Sequence, residues 1–143
     1  MIDINKPRVI RPDERIKEIP ERLFLFRSCT GSMEYPGTEL AVKTVLSRLG
    51  IEVIMDPDQT CCSGYILTCS GYTPEPSLAV TARNLAIVEQ KYGVDTYAFC
   101  NGCFGYMREL SHIVNHAPGV KDQMNELIGR WGYSYQGKTN IYH

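Results

Sequence analysis

Thr96-Tyr97-Ala98-Phe99-Cys100-Asn101-Gly102-Cys103 is the stretch from which the fold is read. A strand-length, mostly apolar run leads without a turn into Cys-x-x-Cys, so the first thiol falls where a buried strand stops. The arrangement recurs upstream. Leu23-Phe24-Leu25-Phe26 is a continuous apolar run, as in a strand buried on both faces, and Cys29 follows through Arg27-Ser28. Ile51-Glu52-Val53-Ile54-Met55 is a further strand, halted by Asp56-Pro57-Asp58. The loop from Gln59 to Pro76 then carries Cys61, Cys62 and Cys69, and it is too long to be a mere connection.

Helical segments separate these strands. Thr38 to Leu49 places Ala41, Val42, Val45, Leu46 and Leu49 on one apolar stripe, with Gly50 as its stop. Ser77 is positioned to cap a helix from Leu78 to Tyr92, ended by Gly93. Helices from Phe104 to His116 and from Val120 to Trp131 flank Pro118-Gly119, and Thr139 to His143 begins another strand. Strands alternating with helices predict an α/β fold of three layers, Rossmann-like, with a mostly parallel sheet. Cys29, Cys61-Cys62 and Cys100 then lie past the C-terminal ends of strands, the edge at which such sheets hold ligands. The expected organisation is a polar arm over residues 1–22 and one cysteine-rich domain over 23–143.

Composition narrows the chemistry. With 143 residues, 43% hydrophobic and 22% charged, the chain is long enough for one real core. A net charge of −1 gives no electrostatic footprint for nucleic acid or an anionic membrane, and no run reaches the length of a membrane span. The arm, with Lys6, Arg8, Arg11, Arg15, Lys17 and Arg22 among its acids, has no signal-peptide core. A cytoplasmic location is therefore expected, and with it metal or redox chemistry for the six cysteines instead of disulfides. The arm is either a plain extension or a segment that docks on a partner.

Five thiols meeting at one sheet edge point to iron–sulfur ligation first and zinc second. Zinc is satisfied with four ligands, which five candidates exceed. A thioredoxin-like pair at a strand-to-helix turn would explain Cys100 and Cys103, but it needs neither Cys61-Cys62 nor Cys29. Cys69 stands apart and reads as a small buried apolar residue.

The whole pattern resembles the CCG cysteine-rich domain of the family formed by the B subunits of heterodisulfide reductase: one cysteine, some thirty-odd residues, Cys-Cys, a similar gap, then Cys-x-x-Cys. Here 31 residues separate Cys29 from Cys61 and 37 separate Cys62 from Cys100. Tyr35-Pro36-Gly37, Ala82-Arg83-Asn84-Leu85-Ala86, Phe99 to Gly105 and Ser111-His112-Ile113 also match. The resemblance implies a noncubane 4Fe–4S cluster of iron held by Cys29, Cys61, Cys62, Cys100 and Cys103. It implies an oxidoreductase acting on a sulfur group, splitting the disulfide of coenzyme M and coenzyme B in an anaerobic, methanogenic setting. The implied partners are a second half or subunit with its own CCG motif, the ferredoxin-like 4Fe–4S protein and the flavin protein of the same complex, and a small disulfide substrate. A noncatalytic electron-transfer module of a related complex is the alternative. The chain departs from the family in having Ser63 where Cys-Cys-Gly has its glycine, with Gly64 one place later, and in carrying one cysteine motif instead of two.

Other candidates are weaker. His112 could line a substrate pocket or supply a proton to a leaving thiolate, against the commoner role of a hydrogen-bonded structural histidine; His116 has less claim. Tyr65, Tyr72 and Tyr106 either border the cluster mouth or pack an interface. Arg83 either binds an anionic group or makes a helix-surface salt bridge.

Overall fold

Four strands, β1 (Arg22–Phe26), β2 (Glu52–Ile54), β3 (Asp95–Ala98) and β4 (Ile141–Tyr142), form one sheet in the order β2-β1-β3-β4. Every pairing is parallel: Phe24 stands opposite Ile54 on one side and Thr96 on the other, Phe26 opposite Ala98, and Tyr97 opposite Tyr142. The computed structural model describes residues 19–60, 63–65, 69–71 and 74–143. Most of the arm, together with Cys61, Cys62 and Tyr72, lies outside the described residues.

Alternation along each strand divides the interior in two. Phe24, Phe26, Ile54, Ala98 and Ile141 point to the larger core, whereas Leu23, Val53, Tyr97 and Tyr142 point to the smaller one. The larger core is completed by α2 (Pro74–Ile87), α3 (Asn101–His116) and α4 (Val120–Gly129), which contribute Ala82 and Leu85, Met107 and Leu110, and Met124 and Ile128. On the opposite face stands α1 (Pro36–Arg48), with Leu46 buried and Val42 packed beside it. This division follows from the strand order. The connection from β1 to β2 runs one way across the sheet and later connections run the other way, so right-handed crossovers place their helices on opposite faces. The two edge strands are the shortest of the four, with three residues in β2 and two in β4.

Several boundaries differ from those read in the sequence. α3 starts at Asn101 instead of Phe104, so Cys100 is the residue before the helix and Cys103 lies in its first turn. α2 starts at Pro74, not after Ser77; prolines suit a first turn whose N–H groups have no intrahelical partner, and Ser77 is buried inside the helix. The predicted end at Tyr92 holds through a π-helical turn, Val88–Tyr92, closed by Gly93 at φ 60°. A second π-helical turn, Thr30–Glu34, precedes α1, and α4 stops at Gly129, short of Trp131. Of the expected α1 stripe, Val45 and Leu49 are 56% and 67% exposed, and among the described residues no second helix lies beside α1 on its face. No helix among the described residues is long and apolar enough to cross a membrane.

Candidate metal centre

Because the chain leaves β1 and β3 toward opposite faces, a crevice opens at the C-terminal ends of these two neighbours. Cys29 follows the end of β1 by three residues, and Cys100 follows the end of β3 by two. The two segments are packed together by Gly31 and Phe99. A Cβ on Gly31 would lie 1.9 Å from the Phe99 ring, so only glycine lets that ring rest on the π-helical turn. The Gly31 N–H donates to the Ser28 hydroxyl at 2.9 Å, which fixes the turn just beyond Cys29.

Cys100 and Cys103 stand side by side at the start of α3, where the helix dipole favours negative charge. Cys100 is half-buried and Cys103 is buried, heading the core-facing stripe of Met107, Leu110 and Val114. Burial pushes the Cys103 thiol up to about 12, against the hydrogen-bonding influence of the Ser63 hydroxyl and backbone N–H. A thiol held this dry keeps its proton unless a strong competitor such as a metal cation replaces it. Ser63 is itself wholly buried, and its hydroxyl has no partner of ordinary hydrogen-bond geometry. An unsatisfied donor beside a buried thiol suits an iron–sulfur group, whose anionic sulfurs would accept such a bond.

The cysteine pair at positions 61 and 62 lies outside the described residues, but the residues on either side of it are held by α2. Upstream, the Asn84 amide accepts from the Thr60 N–H at 3.2 Å and donates to the Thr60 hydroxyl at 2.7 Å. Arg83 donates to the Asp58 carbonyl at 2.9 Å, and Gln59 pairs with both backbone groups of Arg27 at 2.9 Å, tying this loop to the end of β1. Downstream, the Thr81 hydroxyl donates to the Ser63 carbonyl, and Gly64, at φ 102°, lies against the Ser77 carbonyl where a Cβ would come within 2.3 Å. Asp56 secures the turn before the loop. Burial pushes its carboxyl up, but hydrogen bonds from Tyr92, the Asp58 N–H and Lys91 outweigh this and hold it below the usual range.

The remaining candidates fall at different distances from the cysteines. Tyr65 lies over the start of α3: a Cβ on Gly102 would be 3.1 Å from its ring, and Tyr106 meets it edge-on at 6.3 Å. Cys69 is exposed, not the buried apolar residue expected, and its neighbourhood raises the Tyr65 hydroxyl above its ordinary value. Among the described residues Arg83 makes no salt bridge; it donates to the Asp58 carbonyl and stacks over Tyr133 at 5.1 Å. His112 is exposed and stacks on His116 at 4.3 Å. Nine residues of helix place it about 14 Å along the axis from Cys103, so the structure does not bring it to the thiols. Thr81, Asn84 and Gln59 are residues around the cysteines that the sequence reading missed, and Ser63 was noted there only as standing in place of a glycine. Asn84 alone had a signal there, inside Ala82-Arg83-Asn84-Leu85-Ala86. Among the described residues, no three cysteine, histidine or acidic side chains form a metal-binding group, so Cys29 does not close on the Cys100–Cys103 pair by itself.

Compared with known proteins, residues 23–108 match the profile described as CCG, cysteine-rich domain. The chain belongs to the CCG cysteine-rich domain family. Among curated relatives of this CCG domain, the B subunit of ferredoxin:CoB-CoM heterodisulfide reductase from Methanosarcina acetivorans is 31% identical over 90% of this chain and 44% of its own length. A protein of Archaeoglobus profundus named as like the heterodisulfide reductase B subunit is 32% identical over 83% of this chain and 39% of its own. The 8-methylmenaquinol:fumarate reductase membrane anchor subunit of Wolinella succinogenes is 25% identical over 81% of this chain and 39% of its own. The CCG domain thus spans less than half the length of these curated relatives. A crystal structure of a hypothetical protein from Helicobacter pylori shares the fold, with a TM-score of 0.73 over 87% of this chain and 24% of that one at 18% identity.

Proposed function

We propose that this CCG domain is the iron–sulfur redox module of a heterodisulfide-reductase-type complex. In this reading Cys29, Cys61, Cys62, Cys100 and Cys103 hold a noncubane 4Fe–4S cluster that serves reduction of a small disulfide, of the coenzyme M–coenzyme B kind, to two thiols. The observation that carries it is the side-by-side Cys100–Cys103 pair at the sheet edge that Cys29 also borders, with Thr60 and Ser63, the sequence neighbours of Cys61-Cys62, held on α2. When bound, the cluster supplies one-electron redox capacity. The chain's own residues do the rest: the α3 N-terminus favours the thiolates, Met107 and its neighbours keep water from Cys103, and the Tyr65 ring covers the first turn of the helix. Cleaving a disulfide takes two electrons, which makes a second CCG half or subunit the natural partner. A ferredoxin-like 4Fe–4S protein and a flavin protein of the same complex supply the electrons in a cytoplasmic, anaerobic setting.

A second reading is supported by the Wolinella relative, whose name assigns it to a quinol:fumarate reductase. The domain would there serve electron transfer without touching substrate. Anaerobic purification tests the cluster reading: iron and acid-labile sulfide should be present in about equal amounts, and zinc alone overturns it. Disulfide reduction by the copurified complex separates catalysis from transfer.

A further inference from the structure

We propose that the Ser63 side chain donates a hydrogen bond to the Cys103 sulfur of the bound cluster and thereby raises the cluster's reduction potential. The inference rests on the iron–sulfur reading above and deepens it.

Three observations converge on Ser63. It is completely buried, and its hydroxyl is one of the few buried polar atoms among the described residues without a partner. Such a group is unfavourable unless something within reach accepts its proton. Its position is fixed from both ends: Thr81 holds its carbonyl, and the next residue is seated on the Ser77 carbonyl at a backbone angle that only glycine adopts freely. Its hydroxyl and backbone N–H lie beside Cys103, the most buried of the described thiols, although the hydroxyl makes no ordinary hydrogen bond to it.

A neutral thiol is a weak acceptor, so the hydroxyl gains little from it. A metal-bound thiolate is a strong acceptor, and the same geometry then satisfies the donor. Cluster reduction adds negative charge that spreads onto the sulfurs. A donor aimed at one of them stabilises the reduced form more than the oxidised form, which moves the potential upward.

The test uses full-length protein purified anaerobically as wild type, Ser63→Ala and Ser63→Gly. Iron and labile sulfide are measured first, then the midpoint potential by redox titration, and the iron–sulfur stretching bands by resonance Raman in H2O and D2O. Both variants should bind iron as wild type does, titrate at a lower potential, and lose part of the D2O sensitivity of the wild-type bands. The two differ in the space they leave, so a shift in the same direction in both marks the lost donor and not altered packing. Iron-loaded variants with an unmoved potential overturn the proposal. If the variants fail to load, the wild type decides: bands insensitive to D2O overturn it and sensitive bands support it. Wild type lacking iron and sulfide would instead overturn the cluster reading itself, and this inference with it.

Discussion

At Gly31 there is room for one hydrogen atom and nothing more. Gly31→Ala should destabilise the fold by about 1–3 kcal/mol, the usual cost of overpacking a filled site, as read by urea denaturation. In a Phe99→Ala background the same substitution should cost clearly less, since the ring it strikes is gone. At Asn84 the effect is loss instead of excess. Asn84→Ala leaves the Thr60 N–H without its acceptor, so about 1–3 kcal/mol of stability should go and the iron retained after anaerobic desalting should fall. Cys100→Ala should abolish or convert the cluster spectrum, while the exposed Cys69→Ala should leave it intact; equal bleaching by both would overturn the ligand set. Cys29 and Cys100 were legible in the sequence because an apolar run ending at a cysteine marks a strand end. Gly31 and Asn84 were visible only as residue types. Their partners lie 68 and 24 positions away, and contacts across that span depend on packing that periodicity does not encode.

For the helices, the sequence conveyed existence and order and the start of α4 at Val120, but it placed the starts of α1, α2 and α3 two to four residues late. Asn101-Gly102 looks like a helix breaker, yet in a first turn no intrahelical N–H bond is required and glycine costs little, so α3 takes in the Cys-x-x-Cys. That shift matters chemically, because it carries Cys103 from a loop into the buried stripe. The π-helical turns had no sequence signal, since each inserts one residue into a period that is otherwise regular. α1 is held at its first turn by Glu39, which is buried and meets Lys43 at 2.6 Å and Arg27 at 3.2 Å. Burial pushes its carboxyl up, but hydrogen bonds from Lys43, Ser32 and Arg27 prevail and bring it down to about 2. A lowered value means that the contribution is complete above the ordinary 4.5 and disappears as pH falls toward 2. Glu39→Gln should therefore be less stable than wild type by about 1 kcal/mol at pH 7, after allowance for partly exposed partners. The difference should close in acid, as followed by denaturation at stepped pH; a gap that stays constant down to pH 2 would remove the charge from the explanation.

Among the described residues the two faces of the sheet are covered unequally, with three helices on one face and one on the other. The α/β alternation foretold layers; the strand order that fixes which helix goes where had no local signal. The proposed reaction needs two electrons and a second cluster-bearing half, so the isolated chain should fail in a disulfide-reduction assay that the copurified complex passes. Full turnover by the chain alone would require a single-cluster mechanism. The short β2 edge bears on what happens when the fold is lost from the outside in. A foreign strand meeting β2, an edge of the sheet among the described residues, finds only three residues of ladder to pair with, too few to serve as a template. Material that precipitates on mild heating should then be amorphous, failing to enhance thioflavin fluorescence and lacking the meridional spacing of stacked strands in fibre diffraction.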